Sequence, residues 1–225
     1  MNLEARVNKI LNEGYEFKLE KYISNGFELF KKEYGLFIGF SIVAGLMSGV
    51  ASLIPIIGSL AQAVITGIIN LGYFYVARKI KLGEKPEFED FFKPFNAFGN
   101  IVGISLVVFI LTLVGFLCLI IPGIYLGVAW SLSLPIIYFY SGVGLWDSME
   151  ASRRVVTKNW WWFLLLFICI VLINIVGAIC LLVGLLITIP VSHLIMYSAF
   201  DDIMKPDKET EPDNDEKILL DELND

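Results

Sequence analysis

Three long stretches of the chain, residues 34–77, 94–146 and 159–200, carry no Asp, Glu, Lys or Arg, and charged segments separate them. They hold 44, 53 and 42 residues. A helix rises about 1.5 Å per residue and a bilayer core is about 30 Å thick, so one crossing takes roughly 20 apolar residues. Each stretch holds enough for two crossings and predicts a helical hairpin running out and back. Helix breakers stand near the midpoints: Pro55 and Gly58 in the first, Pro122-Gly123 in the second, and Gly177 and Gly184 on either side of the third. The runs are continuously apolar and lack the period-2 alternation of a barrel wall. The pattern predicts an all-α, polytopic membrane helical bundle. Its six transmembrane helices form three hairpins, over roughly 35–55, 58–78, 99–121, 123–142, 160–180 and 183–203.

The charged segments carry a second pattern, that of interfacial amphipathic helices. Leu19, Ile23, Phe27 and Phe30 recur at helical spacing beside Lys18, Lys21, Lys31 and Lys32, which predicts a helix in the headgroup plane. Phe88, Phe91, Phe92, Phe95 and Phe98 make a second stripe, with a kink expected at Pro94. In the third, Trp146, Met149, Arg153 and Val156 fall on neighbouring turns, and Glu150 is spaced to pair with Arg154. Trp160, Trp161 and Trp162 follow at once, as rings do where a span enters the membrane.

Composition and charge add the orientation. Hydrophobic residues make up 56% of the chain and charged residues 18%, which excludes a soluble globular domain, a disordered chain and a nucleic-acid binder. With six crossings, all 17 basic residues fall on one side, and the positive-inside rule makes it cytoplasmic, with both termini there. Residues 1–33 are mixed in charge and read as a cytoplasmic amphipathic segment, so the first span is expected to act as an uncleaved signal anchor. Residues 34–203 form the membrane domain and 204–225 an acidic, disordered cytoplasmic tail. The last 25 residues carry 11 acidic and 3 basic groups, and Ile218-Leu219-Leu220 is an apolar cluster able to dock on a protein partner.

Candidate chemistry is sparse. Ser59, Gln62, Thr66 and Asn70 lie three and four residues apart and form one polar stripe on the second span. Asn174 is placed to face it, and His193, the only histidine, falls inside the sixth span. These six residues are the candidate polar lining, either of a path or of interhelical hydrogen bonds. Ser41, Gly45 and Gly49, and Gly123, Gly127 and Ser131, form small-residue ridges suited to close helix packing. Cys118, Cys169 and Cys180 fall within spans and read as packing residues. A single histidine and the absence of a Walker or dinucleotide motif leave no catalytic, metal or cofactor site to assign, and a noncatalytic protein is expected.

Several stretches carry a resemblance: Ile23-Ser24-Asn25-Gly26-Phe27-Glu28-Leu29-Phe30, Phe88-Glu89-Asp90-Phe91-Phe92-Lys93-Pro94-Phe95, Ile120-Ile121-Pro122-Gly123-Ile124-Tyr125-Leu126, and Met149-Glu150-Ala151-Ser152-Arg153-Arg154-Val155-Val156. Their order, over roughly residues 20–203, resembles a bacterial six-span integral membrane protein family akin to the membrane domain fused to some glycerophosphodiester phosphodiesterases. The resemblance implies fold and placement in the bacterial cytoplasmic membrane, with no catalytic residues to carry over. The expected role is an accessory or organising one in envelope or lipid homeostasis. The alternatives are a transporter for an apolar or lipid-like molecule and a membrane-shaping hairpin protein.

Overall fold

The computed structural model describes residues 2–53, 57–180 and 183–205, and among them every regular element is helical. In chain order these are α1 (Leu3–Glu13), α2 (Leu19–Lys32), α3 (Tyr34–Ala51), α4 (Ile57–Leu82), the 3-10 helix η1 (Phe88–Ala97), α5 (Phe98–Cys118), α6 (Ile120–Ala129), α7 (Ser133–Phe139), α8 (Leu145–Lys158), α9 (Trp160–Ile179) and α10 (Leu185–Met204). The expected turn at Pro55 and the acidic tail from residue 206, with Ile218-Leu219-Leu220, lie outside the described residues.

Among the described residues, five segments are long and apolar enough to cross a membrane: Tyr34–Ala51, Gly58–Leu82, Phe88–Cys118, Ile120–Phe139 and Trp160–Ile179. The sixth expected span, α10, is not among them. It carries Pro190, Ser192, His193 and Ser198, with Asp201-Asp202 in its last turn. The physical reason is its position: from Pro190 to Phe200 it is buried at nearly every residue, packed among α2, α3, α4 and α9, so other helices rather than lipid solvate its polar groups. The most apolar segments stand outside. Leu117 on α5 and Ile179 on α9 are 78% and 75% exposed, and side chains of this kind cover their outer faces. A continuous apolar surface of this extent matches hydrocarbon rather than water.

Side-chain pairs fix the helix directions. Asn70 meets His193, Phe74 meets Tyr197 and Lys81 meets Asp201, so α4 and α10 run parallel. Ser41 meets Tyr73 and Ser48 meets Gln62, so α3 and α4 run antiparallel. The second hairpin turns at Leu119, whose backbone is extended, and not at Pro122-Gly123 as the breakers suggested. Pro122 lies in the first turn of α6, where its missing N–H costs no hydrogen bond.

The charged segments are docked on the bundle. On α2 the buried stripe is Tyr22, Gly26 and Phe30, one turn-face away from the Leu19–Ile23–Phe27 line, and it packs along α10. A Cβ on Gly26 would stand 2.5 Å from Ile195 Cγ1 and 2.9 Å from its backbone nitrogen, so only glycine permits this crossing. η1 lies against α4 at Gly72, and Phe91 stacks on Phe40 at 4.1 Å. Pro94 sits inside η1, and the chain passes from 3-10 to α geometry at Phe98. Asp90 accepts from Lys79 Nζ at 2.9 Å and from the Glu87 amide at 2.7 Å, which seals the start of η1.

Two sequence expectations on α8 and on the cysteines change. Glu150 pairs with Arg153, through two 2.7 Å bonds, and not with Arg154, which points to Asn8 of α1. The guanidinium fork reaches a carboxylate one turn back in bidentate fashion, and it holds the Glu150 carboxyl below its usual range. Cys118 and Cys180 are exposed on the outer surface and Cys169 is half-buried, so the first two are not packing residues.

The charged ends of the helices meet at one end of the bundle. Arg6 donates to the Ile203 carbonyl and Tyr140 to that of Met204 (2.7 Å), which caps the C-terminus of α10. Lys158 donates to the Ile10 and Leu11 carbonyls and so caps α1. Tyr22 and Lys18 reach Asp202, at 2.9 and 3.8 Å. Tyr15 donates to the Val155 carbonyl at 2.9 Å.

Candidate functional site

A cavity of about 670 Å³ opens between α4, α5 and the α6–α7 segment. Its α4 wall is the polar stripe: Ser59, Gln62, Thr66 and Asn70 all line it, since a period of three to four residues puts them on one face. Gln62 Nε2 also donates to Ser48 Oγ on α3 at 3.2 Å and to Thr66 Oγ1 at 3.3 Å. The α5 wall mixes Ser105 and Thr112 with Ile104, Val108 and Phe109. Leu113 and Phe116 sit at the rim, 47% and 45% exposed on the lipid-facing side.

The third wall is where the fourth expected span is broken. Between α6 and α7 the residues Trp130, Ser131 and Leu132 form a turn that interrupts the α-helical hydrogen bonding, and Trp130, Ser131 and Ser133 line the cavity. A broken helix needs new partners for its backbone at membrane depth. Ser152, fully buried on α8, supplies them: its hydroxyl donates to the Ala129 carbonyl at 2.7 Å and accepts from the Leu132 amide at 3.1 Å. Irregular backbone among apolar helices belongs where it borders a cavity, and here it does.

The remaining candidates are distributed unevenly. His193 lies beside the inner end of the stripe: Asn70 Nδ2 donates to its Nδ1 at 3.1 Å, and the ring stacks on Tyr73 at 4.7 Å. Asn174 does not join this group. Its Nδ2 donates to Ser192 Oγ on α10 at 2.7 Å and to the Ile170 carbonyl at 2.9 Å, which makes it a link between α9 and α10.

Sequence reasoning missed the α5 hydroxyls and the break. Ser105 and Thr112 are seven residues apart, the spacing of one helix face, and that was their available signal. The small-residue ridges divide: Gly123 packs on Phe116, Gly127 and Ser131 line the cavity, and a Cβ added at Gly45 or Gly49 would meet nothing within 4 Å among the described residues. All eighteen residues lining the cavity are uncharged. No cluster of three His, Cys, Asp or Glu able to hold a metal ion exists among the described residues. No protein family, curated protein or solved structure matches the chain in the comparisons.

Proposed function

We propose that this is a noncatalytic protein of the bacterial cytoplasmic membrane that holds a lipid-like molecule in the α4–α5–α6 cleft, in an accessory role in envelope or lipid homeostasis. One observation carries the reading: a cavity of about 670 Å³ with a polar stripe on one wall, apolar side chains on another and a rim facing lipid. Its size falls within the roughly 300–1,000 Å³ typical of small-molecule sites. The parallel course of α4 and α10 supports a six-span arrangement with both termini cytoplasmic, as does the gathering of Arg6, Lys18, Lys81 and Lys158 at one end. The order of motifs that resembles the six-span family supports it too. The acidic tail is the part we assign to a protein partner.

Gly127 lines the cleft with open space beside it. A Cβ at this position would find its nearest neighbour, Thr112 Cγ2, at 3.7 Å, so Gly127→Phe fills the cavity without removing a polar group. Lipids extracted from purified wild type should contain a species enriched over the bulk membrane. In Gly127→Phe that enrichment should fall at least fivefold while the melting temperature is kept. Identical lipid profiles would overturn the proposal.

A further inference from the structure

Resting on the occupancy just proposed, we infer that the ligand is an uncharged lipid carrying a hydroxyl group, which enters from the bilayer between α4 and α5. The polar atoms of the cavity wall give the first argument. Gln62 Oε1, Thr112 Oγ1 and Ser131 Oγ are each buried without a hydrogen-bond partner, and the three residues stand on three different walls of one cavity. Buried polar groups are ordinarily paired, so three orphans among the residues lining one cavity mark places where partners are missing. Gln62 Oε1 can only accept, whereas the two hydroxyls donate or accept. A ligand hydroxyl, which does both, can pair with any of the three; a hydrocarbon can pair with none.

The second argument is charge. With no Lys, Arg, Asp or Glu in the lining, a phosphate or carboxylate head would be desolvated with no counter-charge, so the cavity discriminates against it. The third is the route. Leu113 and Phe116 form a half-exposed apolar rim toward lipid, whereas the inner end is closed by Trp130, Ser133 and the Asn70–His193 pair, with fully buried α7 residues behind them. The cleft therefore opens sideways into hydrocarbon, and its contents need not cross the polar end of the bundle.

The test uses full-length protein in phosphatidylcholine nanodiscs and two photoreactive probes of equal chain length, a diazirine-bearing long-chain alcohol and its alkyl sulfate. The alcohol should label peptides of α4, α5 and α6, compete with unlabelled alcohol, and exceed the sulfate by tenfold or more. Gln62→Leu/Thr112→Val/Ser131→Ala should lower alcohol labelling at least fivefold. Thr112→Val and Ser131→Ala remove hydroxyls that have no partner, so that pair alone should leave the ligand-free protein at least as resistant to thermal unfolding, whereas Gln62→Leu also forfeits the bonds from its Nε2 to Ser48 and Thr66. Thr112→Val alone, nearly isosteric, should show the same trend at smaller size. Equal labelling by the sulfate, or wild-type labelling of the triple variant, would overturn the hydroxyl assignment while the lipid-holding cleft stands. Wild-type labelling of Gly127→Phe would overturn both.

Discussion

Ser152 belongs to α8, yet its hydroxyl repairs the backbone between α6 and α7. Removing it leaves the Ala129 carbonyl and the Leu132 amide without that partner in a buried setting, at a cost of about 1–3 kcal/mol. Ser148, one turn earlier, is equally buried but bonds to the Leu145 carbonyl of its own helix. We expect Ser152→Ala to lower the unfolding temperature by several degrees, at about 2–4 °C per kcal/mol for a chain of this size. Ser148→Ala should change it by much less. Equal shifts, measured by thermal unfolding in detergent, would refute the stitch. The sequence places Ser152 in an interfacial helix but does not report its partner, although the break itself was legible: Pro135 has no N–H for the Ser131 carbonyl, and its ring crowds that carbonyl. The polar stripe on α4 was legible because helical spacing alone puts its members on one face. Asn174 was misplaced because spacing within one helix says nothing about how another is rotated.

Among the elements, the N-terminal pair α1 and α2 depends most on contacts with distant parts of the chain. Burial raises the phenols of Tyr15 and Tyr22 above their ordinary value, which favours the neutral form in the docked state. Their contribution is therefore complete below the unfolded value of about 10 and is lost as pH climbs through the folded values. Hydrogen-exchange protection factors of Leu3–Leu11, taken against the base-catalysed intrinsic rate, should stay high at neutral pH and fall above pH of about 10. Tyr15→Phe, which cannot ionise, should move that onset upward although it forfeits the bond to Val155. Protection factors that do not change in this range would count against the assignment. The amphipathic character of α2 was legible from its sequence, but the face it buries was not. Hydrophobicity points to Leu19, Ile23, Phe27 and Phe30, of which Phe30 is buried, Leu19 and Ile23 are half-buried against the core and Phe27 is exposed, whereas the crossing with α10 selects Gly26 for its lack of a side chain. The same limit applies to α10, whose polar residues lower its apolarity because helices, not lipid, surround it.

At the scale of the whole molecule, charge was the most informative part of the sequence. Its confinement to short segments gave the hairpin boundaries to within a few residues, because a span cannot leave an ion in hydrocarbon. The crossing count follows from accessibility. With Cys118, Cys169 and Cys180 replaced by Ala, single substitutions Leu53→Cys, Leu119→Cys and Val183→Cys place thiols at exposed positions beside the three turns. A membrane-impermeant maleimide should label all three in intact cells and leave Lys85→Cys unlabelled. Protection at any turn would show a hairpin that does not emerge, and protection at residue 183 alone would leave α10 short of a crossing. The central position of α10 also orders events in time. It is the last described helix to be synthesised, and α2, among the first, packs along it. At a synthesis rate of about 5–20 residues per second, the chain between Lys32 and Met204 takes roughly 10–30 s to make. Until then α2 holds only its contacts with earlier helices, such as Phe30 stacked on Phe37 of α3, and lacks the α10 side of its packing, so the last described helix completes the docking of one of the first.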